Sequence, residues 1–391
     1  MKKGWTYKKL GEVCDFEGGS QPPKSEWISN PKDGYVRMLQ IRDFTKSRNA
    51  EIEYVKVTKK LRLCKADDIL IGRYGASVGK ILTGLAGAYN VAIIKSIPNE
   101  ELIRKDFIRR YFESSLFQSI LFKVCTSRAA QAGFSKDDIK DELIPLPPLS
   151  EQQRIVSRLD SAFAHIDELK ANAEKQVNEA RALFQKALSK AMEPKEGWEE
   201  KTLGELATDM YRGSGIKRDQ VTKEGTPCVR YGEIYTTYNV AFEKCVSHTK
   251  EEYVSSPKFF EHGDLLFAIT GESVEDIGKT IAYLGHEKCL CGGDIICMKH
   301  KQNPTFLAYA LSTPNAIRQK GIGKTKLKVV HTNAPALKAI KIPVPSLSEQ
   351  QRIVERLDAL SKNVKALEEN QRKVMAECDA LKQALLRKVF E

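Results

Sequence analysis

Residues 149–160 read Leu-Ser-Glu-Gln-Gln-Arg-Ile-Val-Ser-Arg-Leu-Asp, and residues 347–358 read Leu-Ser-Glu-Gln-Gln-Arg-Ile-Val-Glu-Arg-Leu-Asp. Eleven of the twelve positions match at an offset of 198, Ser157 against Glu355 being the exception. Duplication at a fixed spacing marks an internally repeated architecture. Each copy follows a proline-spaced run, Ile144-Pro145-Leu146-Pro147 and Ile342-Pro343-Val344-Pro345, of strand character. Weaker echoes keep a similar period. Gly4-Trp5 before Leu10-Gly11-Glu12 returns as Gly197-Trp198 before Leu203-Gly204-Glu205, and Asp68-Ile69-Leu70 before Gly75 returns as Asp264-Leu265-Leu266 before Gly271. Val36-Arg37 is matched with Val229-Arg230. The chain reads as two half-repeats, each a globular part followed by a helix.

The helices are argued from capping and periodicity. Ser150 and Ser348 occupy N-cap positions, with Gln153 and Gln351 three residues on to complete capping boxes. Ile155, Leu159, Ala162, Ile166, Leu169, Ala173, Gln176, Ala180, Leu183 and Ala187 recur at steps of four and three. The offset gives Ile353, Leu357, Leu360, Val364, Leu367, Gln371, Val374, Cys378, Leu381 and Leu385, the seam of a coiled coil. Because domain termini lie close together, the second helix buries its seam only by running back along the first. The predicted fold is α+β, two globular domains at 1–149 and 197–347 joined by antiparallel coiled-coil helices at 150–196 and 348–391. The competing arrangement is two long core helices within one large domain.

The chain has 391 residues, 63 Lys and Arg against 51 acids, a net charge of +12 and a pI near 9.1. Such an excess favours an anionic partner. The charge is uneven: residues 1–149 carry +8 and 197–347 carry +3, while 150–196 and 348–391 come to 0 and +1. From Ile295 to Ser348 there is no acid, though Lys299, Lys301, Arg318, Lys320, Lys324, Lys326, Lys328, Lys338 and Lys341 occur. No apolar run approaches the ~18 residues of a membrane span. With no apolar signal core after Met1, the nine cysteines read as free thiols in a reducing cytoplasm.

The spacing of the glycines, cysteines and prolines bears on the candidate catalytic motifs. A phosphate loop needs Gly, four residues, then Gly-Lys-Ser/Thr, so that backbone amides wrap the phosphates. Gly75 to Gly79-Lys80 has three intervening residues and Gly271 to Gly278-Lys279 has six; Gly323-Lys324-Thr325 meets Arg318 where glycine is required. His286, Cys289, Cys291, Cys297 and His300 cluster in sequence, but Cys-x-Cys lacks the usual zinc pairing, and alternating cysteines suit a buried strand equally. No Asn/Asp-Pro-Pro-aromatic methyltransferase signature and no Pro-Asp nuclease signature is present. Neither a catalytic residue nor a metal ligand is assigned.

Leu-Pro-Pro-Leu-Ser-Glu-Gln-Gln-Arg-Ile at 146–155 and Val-Pro-Ser-Leu-Ser-Glu-Gln-Gln-Arg-Ile at 344–353 resemble the junctions of type I restriction–modification specificity subunits. The resemblance covers essentially the whole chain. It implies two target-recognition domains reading a bipartite DNA site, and helices that hold two modification (methyltransferase) subunits. It implies no enzymatic activity and no cofactor in this chain. S-adenosylmethionine, ATP and magnesium would belong to the modification and restriction subunits that join it. The acid-free run and the cysteine cluster have no counterpart in the family pattern.

Candidate DNA contacts in the first domain are Arg37, Arg42, Arg73, Tyr74, Lys80, Arg128 and Gln131. Those in the second are Arg230, Tyr231, Lys279, Lys320, Lys324 and Lys326. The choice follows base chemistry, Arg and Lys suiting guanine and Asn and Gln suiting adenine. Glu151, Gln152, Arg154 and Arg158, with Glu349, Gln350, Arg352 and Arg356, repeat off the seam and are candidate partner contacts. Two other readings stand beside this one. The first is a structural coiled-coil spacer with protein-binding ends, the second a nucleotide-dependent enzyme using the Gly-Lys loops.

Overall fold

A two-stranded antiparallel ribbon closes each globular part. Thr6–Lys9 pairs with Leu143–Leu146, and Glu199–Thr202 pairs with Lys341–Val344. Pro145 lies opposite Tyr7 and Pro343 opposite Glu200. A narrow ribbon tolerates prolines because it has free edges where a missing N–H costs nothing. The computed structural model describes residues 4–45, 51–126, 133–271, 273, 276–322 and 330–391. They divide into two compact units, residues 1–173 with 372–391 and residues 174–371.

In the first unit the strands Cys14–Gly18, Ile93–Pro98, Ile69–Gly72 and Ile81–Leu82 form an antiparallel sheet in that order. A second sheet runs Tyr54–Lys56, Tyr35–Leu39, Gly87–Tyr89, Leu63–Cys64, with its central pair parallel. Phe16, Ile71, Ile94, Phe107, Tyr111, Phe112 and Phe117 fill the core, and Val156, Leu159, Phe163, Ile166, Leu386 and Phe390 of the long helices complete it. The second unit repeats the plan with two five-stranded sheets, again containing a central parallel pair, Thr226–Val229 with Cys289–Cys291. Its core joins Phe267, Met298, Phe306 and Leu307 to Leu188, Ile353, Val354 and Leu357.

The long helices run Leu149–Ala191 and Leu347–Phe390. Each starts one residue before the serine expected to cap it, so Ser150 and Ser348 are inside the helix and the expected capping boxes do not form. Gln153 donates instead to Ser157, and Gln351 to Glu355. Pairing is antiparallel. In the first unit Lys170 meets Asp379 at 2.8 Å and Lys382 meets Asp167. In the second, Gln371 donates to Gln176 at 2.8 Å and Arg181 to Glu368 at 2.6 Å.

The seam of the first helix departs from the expected one at alternate positions. Leu159, Ile166, Ala173, Ala180 and Ala187 are at least half-buried as expected, but Leu169 and Leu183 are 56% and 67% exposed. Their places are taken one residue later by Lys170 and Phe184, and Phe163 is buried beside Ala162. One residue is a rotation of about 100° on a helix. The stripe therefore follows the phase that lets the two phenylalanines pack. In the second helix Leu381 is likewise exposed, and the Lys382 ammonium lies over the Phe163 ring, 5.2 Å from its centroid.

The corrected phase has a direct test. Phe163→Ala should lower stability by about 3 kcal/mol or more, as large-to-small changes in packed sites do. Leu169→Ala should stay within about 0.5 kcal/mol. Denaturant unfolding of the full-length chain checks both; equal losses would restore the original seam.

Candidate nucleic-acid interface and helix junctions

The first turn of each long helix holds a glutamine with no solvent exposure, Gln152 and Gln350. Gln152 Oε1 accepts the Arg104 amide at 2.8 Å, while Nε2 donates to Pro147 O at 2.9 Å and Leu102 O at 3.1 Å. Gln350 Oε1 accepts the Asn303 amide at 2.9 Å, and Nε2 donates to Pro345 O at 2.9 Å and Gln302 Oε1 at 2.7 Å. These residues were expected to face a partner. They are instead internal clamps that pin helix to domain, and their repetition in the sequence is explained by that role. On the outside of the same turn, Glu151 pairs with Arg154 through two bonds of 2.6 and 2.7 Å, and Glu349 with Arg352 at 2.7 Å. Arg158 and Arg356 are exposed.

The central parallel strand pair creates the same backbone frame in both domains. Asn90 N donates to Leu39 O at 3.1 Å and Gly292 N to Val229 O at 2.9 Å. Ser20 N donates to Tyr89 O at 3.0 Å and Ser214 N to Cys291 O at 2.8 Å. Gly19 N and Gly213 N donate to Ile93 O and Ile295 O at 3.0 and 2.9 Å. At both glycines a Cβ would collide with the neighbouring backbone, 2.1 Å from Asn90 O and 2.3 Å from Gly292 O, so only glycine lets the segments approach. Past the strand ends, Gln40 N donates to Asp43 at 2.7 Å and Arg230 N to Glu233 at 3.0 Å. In the second domain the carboxyl ends of the parallel strands open into a cleft of about 800 Å³, lined among others by Arg212, Arg218, Arg230, Tyr231 and Glu233. Open sheets bind ligands in this crevice, beyond the carboxyl ends of parallel strands.

This frame corrects one pairing. Arg37 is not the counterpart of Arg230; Gln40 is. Arg37 lies on the strand opposite Tyr54 and is bound to buried Asp43 at 2.6 Å. The signal in the sequence is that Gln40 and Arg230 are each followed three residues later by an acid, which accepts the backbone amide. Arg42 pairs with Glu53 at 2.6 Å. Arg73 Nε donates to Phe134 O at 3.1 Å, and its guanidinium sits 5.1 Å from the ring of exposed Tyr74. Lys80 is exposed. Arg128, Gln131, Lys324 and Lys326 lie outside the described residues.

Lys320 does not fit its expected role. It is buried, its ammonium donating to Leu311 O at 2.8 Å and Thr280 Oγ1 at 3.1 Å, where no phosphate reaches it. Burial pushes its pKa down to about 7. Lys279 Nζ is half-buried against the carbonyls of Tyr235 and Tyr238, both at 3.4 Å, and burial lowers its pKa as well. Gly79 and Gly278 have φ of +77° and +70° in turns between strands, which accounts for the Gly-Lys pairs as turn chemistry. Cys289, Cys291 and Cys297 are buried on strands, and burial pushes the Cys291 and Cys297 thiols up. Among the described residues, no three His, Cys, Asp or Glu side chains form a metal-holding group. Nor is any helix among them long and apolar enough to cross a membrane.

Two heads built on one backbone frame, each clamped to its own helical arm, define a duplicated recognition scaffold. The type I restriction modification DNA specificity domain matches residues 2–179 and again 195–376, and the chain belongs to that family. It is 22% identical to the EcoKI specificity subunit of Escherichia coli K12, over 100% of this chain and 89% of that one. It is 23% identical to the MjaVIII specificity subunit of Methanocaldococcus jannaschii, over 92% and 87%. The HsdS subunit from Thermoanaerobacter tengcongensis shares the fold with a TM-score of 0.53 at 20% identity, covering 100% and 97%. A chain from a structure of type I restriction–modification complex assembly and conformational transition gives 0.75 at 20% identity, covering 100% and 98%.

Gln152→Leu strands a buried amide and two carbonyls, and each unsatisfied group costs about 1–3 kcal/mol. A clear drop in melting temperature is expected, against no change for exposed Gln153→Leu; equal melting curves would refute the clamp. Lys320 gives a pH signature. Its folded pKa, about 7, lies below the ordinary lysine value of 10.5. The unfolded chain therefore binds more protons between those values, and stability rises with pH across that window. Lys320→Met should flatten that rise, measured by melting from pH 7 to 10. An unaltered slope would mean another group is responsible.

Proposed function

We propose that the chain is the non-catalytic DNA-reading subunit of a cytoplasmic type I restriction–modification complex. Each globular domain reads one half of a bipartite site. The helices carry two copies of the modification subunit, and restriction subunits join that assembly. The observation that carries this reading is the duplicated frame: equivalent clamps and equivalent parallel strand pairs with different side chains beyond their ends. Two unlike readers on one plan suit two unlike half-sites. Arg73, Tyr74, Lys80, Arg128, Gln131, Arg230, Tyr231, Lys324 and Lys326 remain candidate DNA contacts, together with the net charge of the heads. S-adenosylmethionine, ATP and magnesium would be bound by the partner subunits.

Two-copy docking is supported by exposed leucines that recur with the repeat. Leu149 and Leu347 are 41% and 58% exposed, and Leu183 and Leu381 are 67% and 49% exposed. Both pairs are separated by the same 198 residues as the junction motif. A single exposed leucine is ordinary; it is the recurrence of these at the repeat offset that offers two equivalent places to two copies of one partner. Glu151, Arg154 and Arg158 follow Leu149 within its first turns, as Glu349, Arg352 and Arg356 follow Leu347, so charged and apolar groups recur together at each junction. Native mass spectrometry of the chain with its modification subunit should show two copies bound. Leu183→Glu or Leu381→Glu alone should leave one copy, and the double variant none. A single copy on the unaltered chain would overturn the scaffold reading.

A further inference from the structure

The equivalence of Gln40 and Arg230 goes beyond a correction of alignment. Both follow the first strand of the parallel pair, both have their amide held by an acid three residues on, and both are partly exposed. The backbone around them is shared bond for bond, so the side chain is the variable. Glu233 Oε1 takes Arg230 Nε and Nη2, each at 3.3 Å. That occupies one edge of the guanidinium, and its five donors leave Nη1 and the second Nη2 proton for two parallel bonds. Guanine O6 and N7 accept such a pair. Gln40 Nε2 donates to Glu53 at 3.2 Å, which leaves one N–H beside the amide oxygen. One donor beside one acceptor matches the N7 and N6 edge of adenine. In both domains a fixed carboxylate steadies the reading group, which lowers the entropy lost on contact.

We propose that Gln40 and Arg230 are paired specificity residues, Gln40 reading an adenine in one half-site and Arg230 a guanine in the other. The inference rests on the assignment of each domain to a DNA half-site. It adds which residue reads, and which base. Arg37, held by Asp43, positions the frame in the first domain and does not read.

The test is selection from randomised duplex DNA by the full-length chain assembled with its modification subunits, followed by sequencing of the bound fraction. The unaltered chain should select two half-sequences. Arg230→Gln should turn one G·C pair in one half-sequence toward A·T, by roughly ten- to hundredfold in preference, and leave the other half unchanged. Gln40→Arg should make the reciprocal change in the other half. Arg230→Lys keeps the charge but loses the fork, and should blunt the same G·C preference; it carries the test if Arg230→Gln fails to fold. An unchanged motif from the folded variants would overturn the assignment, as would an even loss of affinity across all sequences. If the unaltered assembly selects no sequence at all, the DNA-reading function itself falls, a different failure from that of these two residues.

Discussion

A carboxamide sealed from water at the root of each long helix governs how this protein is built. Gln152 and Gln350 each join the helix, the proline run before it and a loop of the globular domain through three hydrogen bonds. In water such bonds exchange with solvent and add little. Where solvent is excluded, breaking one leaves a group with nothing to replace it. The clamp therefore gives each head a defined seat on its arm. The closing ribbons work with it, because they deliver the proline carbonyls that the glutamines bind. Apolar packing of Val156, Leu159 and Phe163 in one unit, and of Val354 and Leu357 in the other, then follows from that seat.

Above the clamps, the two heads keep one frame and change what it displays. Glycine at 19 and 213, the parallel strand pair and the amide-holding acid recur because backbone geometry requires them. The cleft side chains answer to no such requirement. Positions free of structural duty can diverge without loss of fold, which is how two different half-sites can be read on one plan. Basic side chains also divide into those that serve the fold and those that do not. Lys320 and Lys279 bond to internal oxygens, and Arg37 neutralises a buried aspartate. Net charge alone does not separate the two kinds.

Much was legible before any coordinates. The duplicated junction revealed the repeat, its spacing set two heads and two arms, and the apolar periodicity required long helices. Antiparallel pairing followed from the closeness of domain termini. These are properties of pattern and connectivity, and a linear sequence carries both in full.

Three features were decided only by tertiary structure. The seam phase depended on Phe163 and Phe184 finding partners, whereas the four-and-three spacing pointed to Ala162 and Leu183, one residue before each. The duty of Gln152 was hidden because a glutamine in a charged segment looks like surface; its burial comes from a loop about fifty residues earlier in the chain. Gln40 escaped notice because the sequence aligned arginine with arginine, while strand register aligns backbone with backbone. The sequence by itself determined which elements exist and that they occur twice. Which face each element buries, and which polar groups remain outside, was settled by contacts between residues far apart in the chain, and no local pattern encodes those.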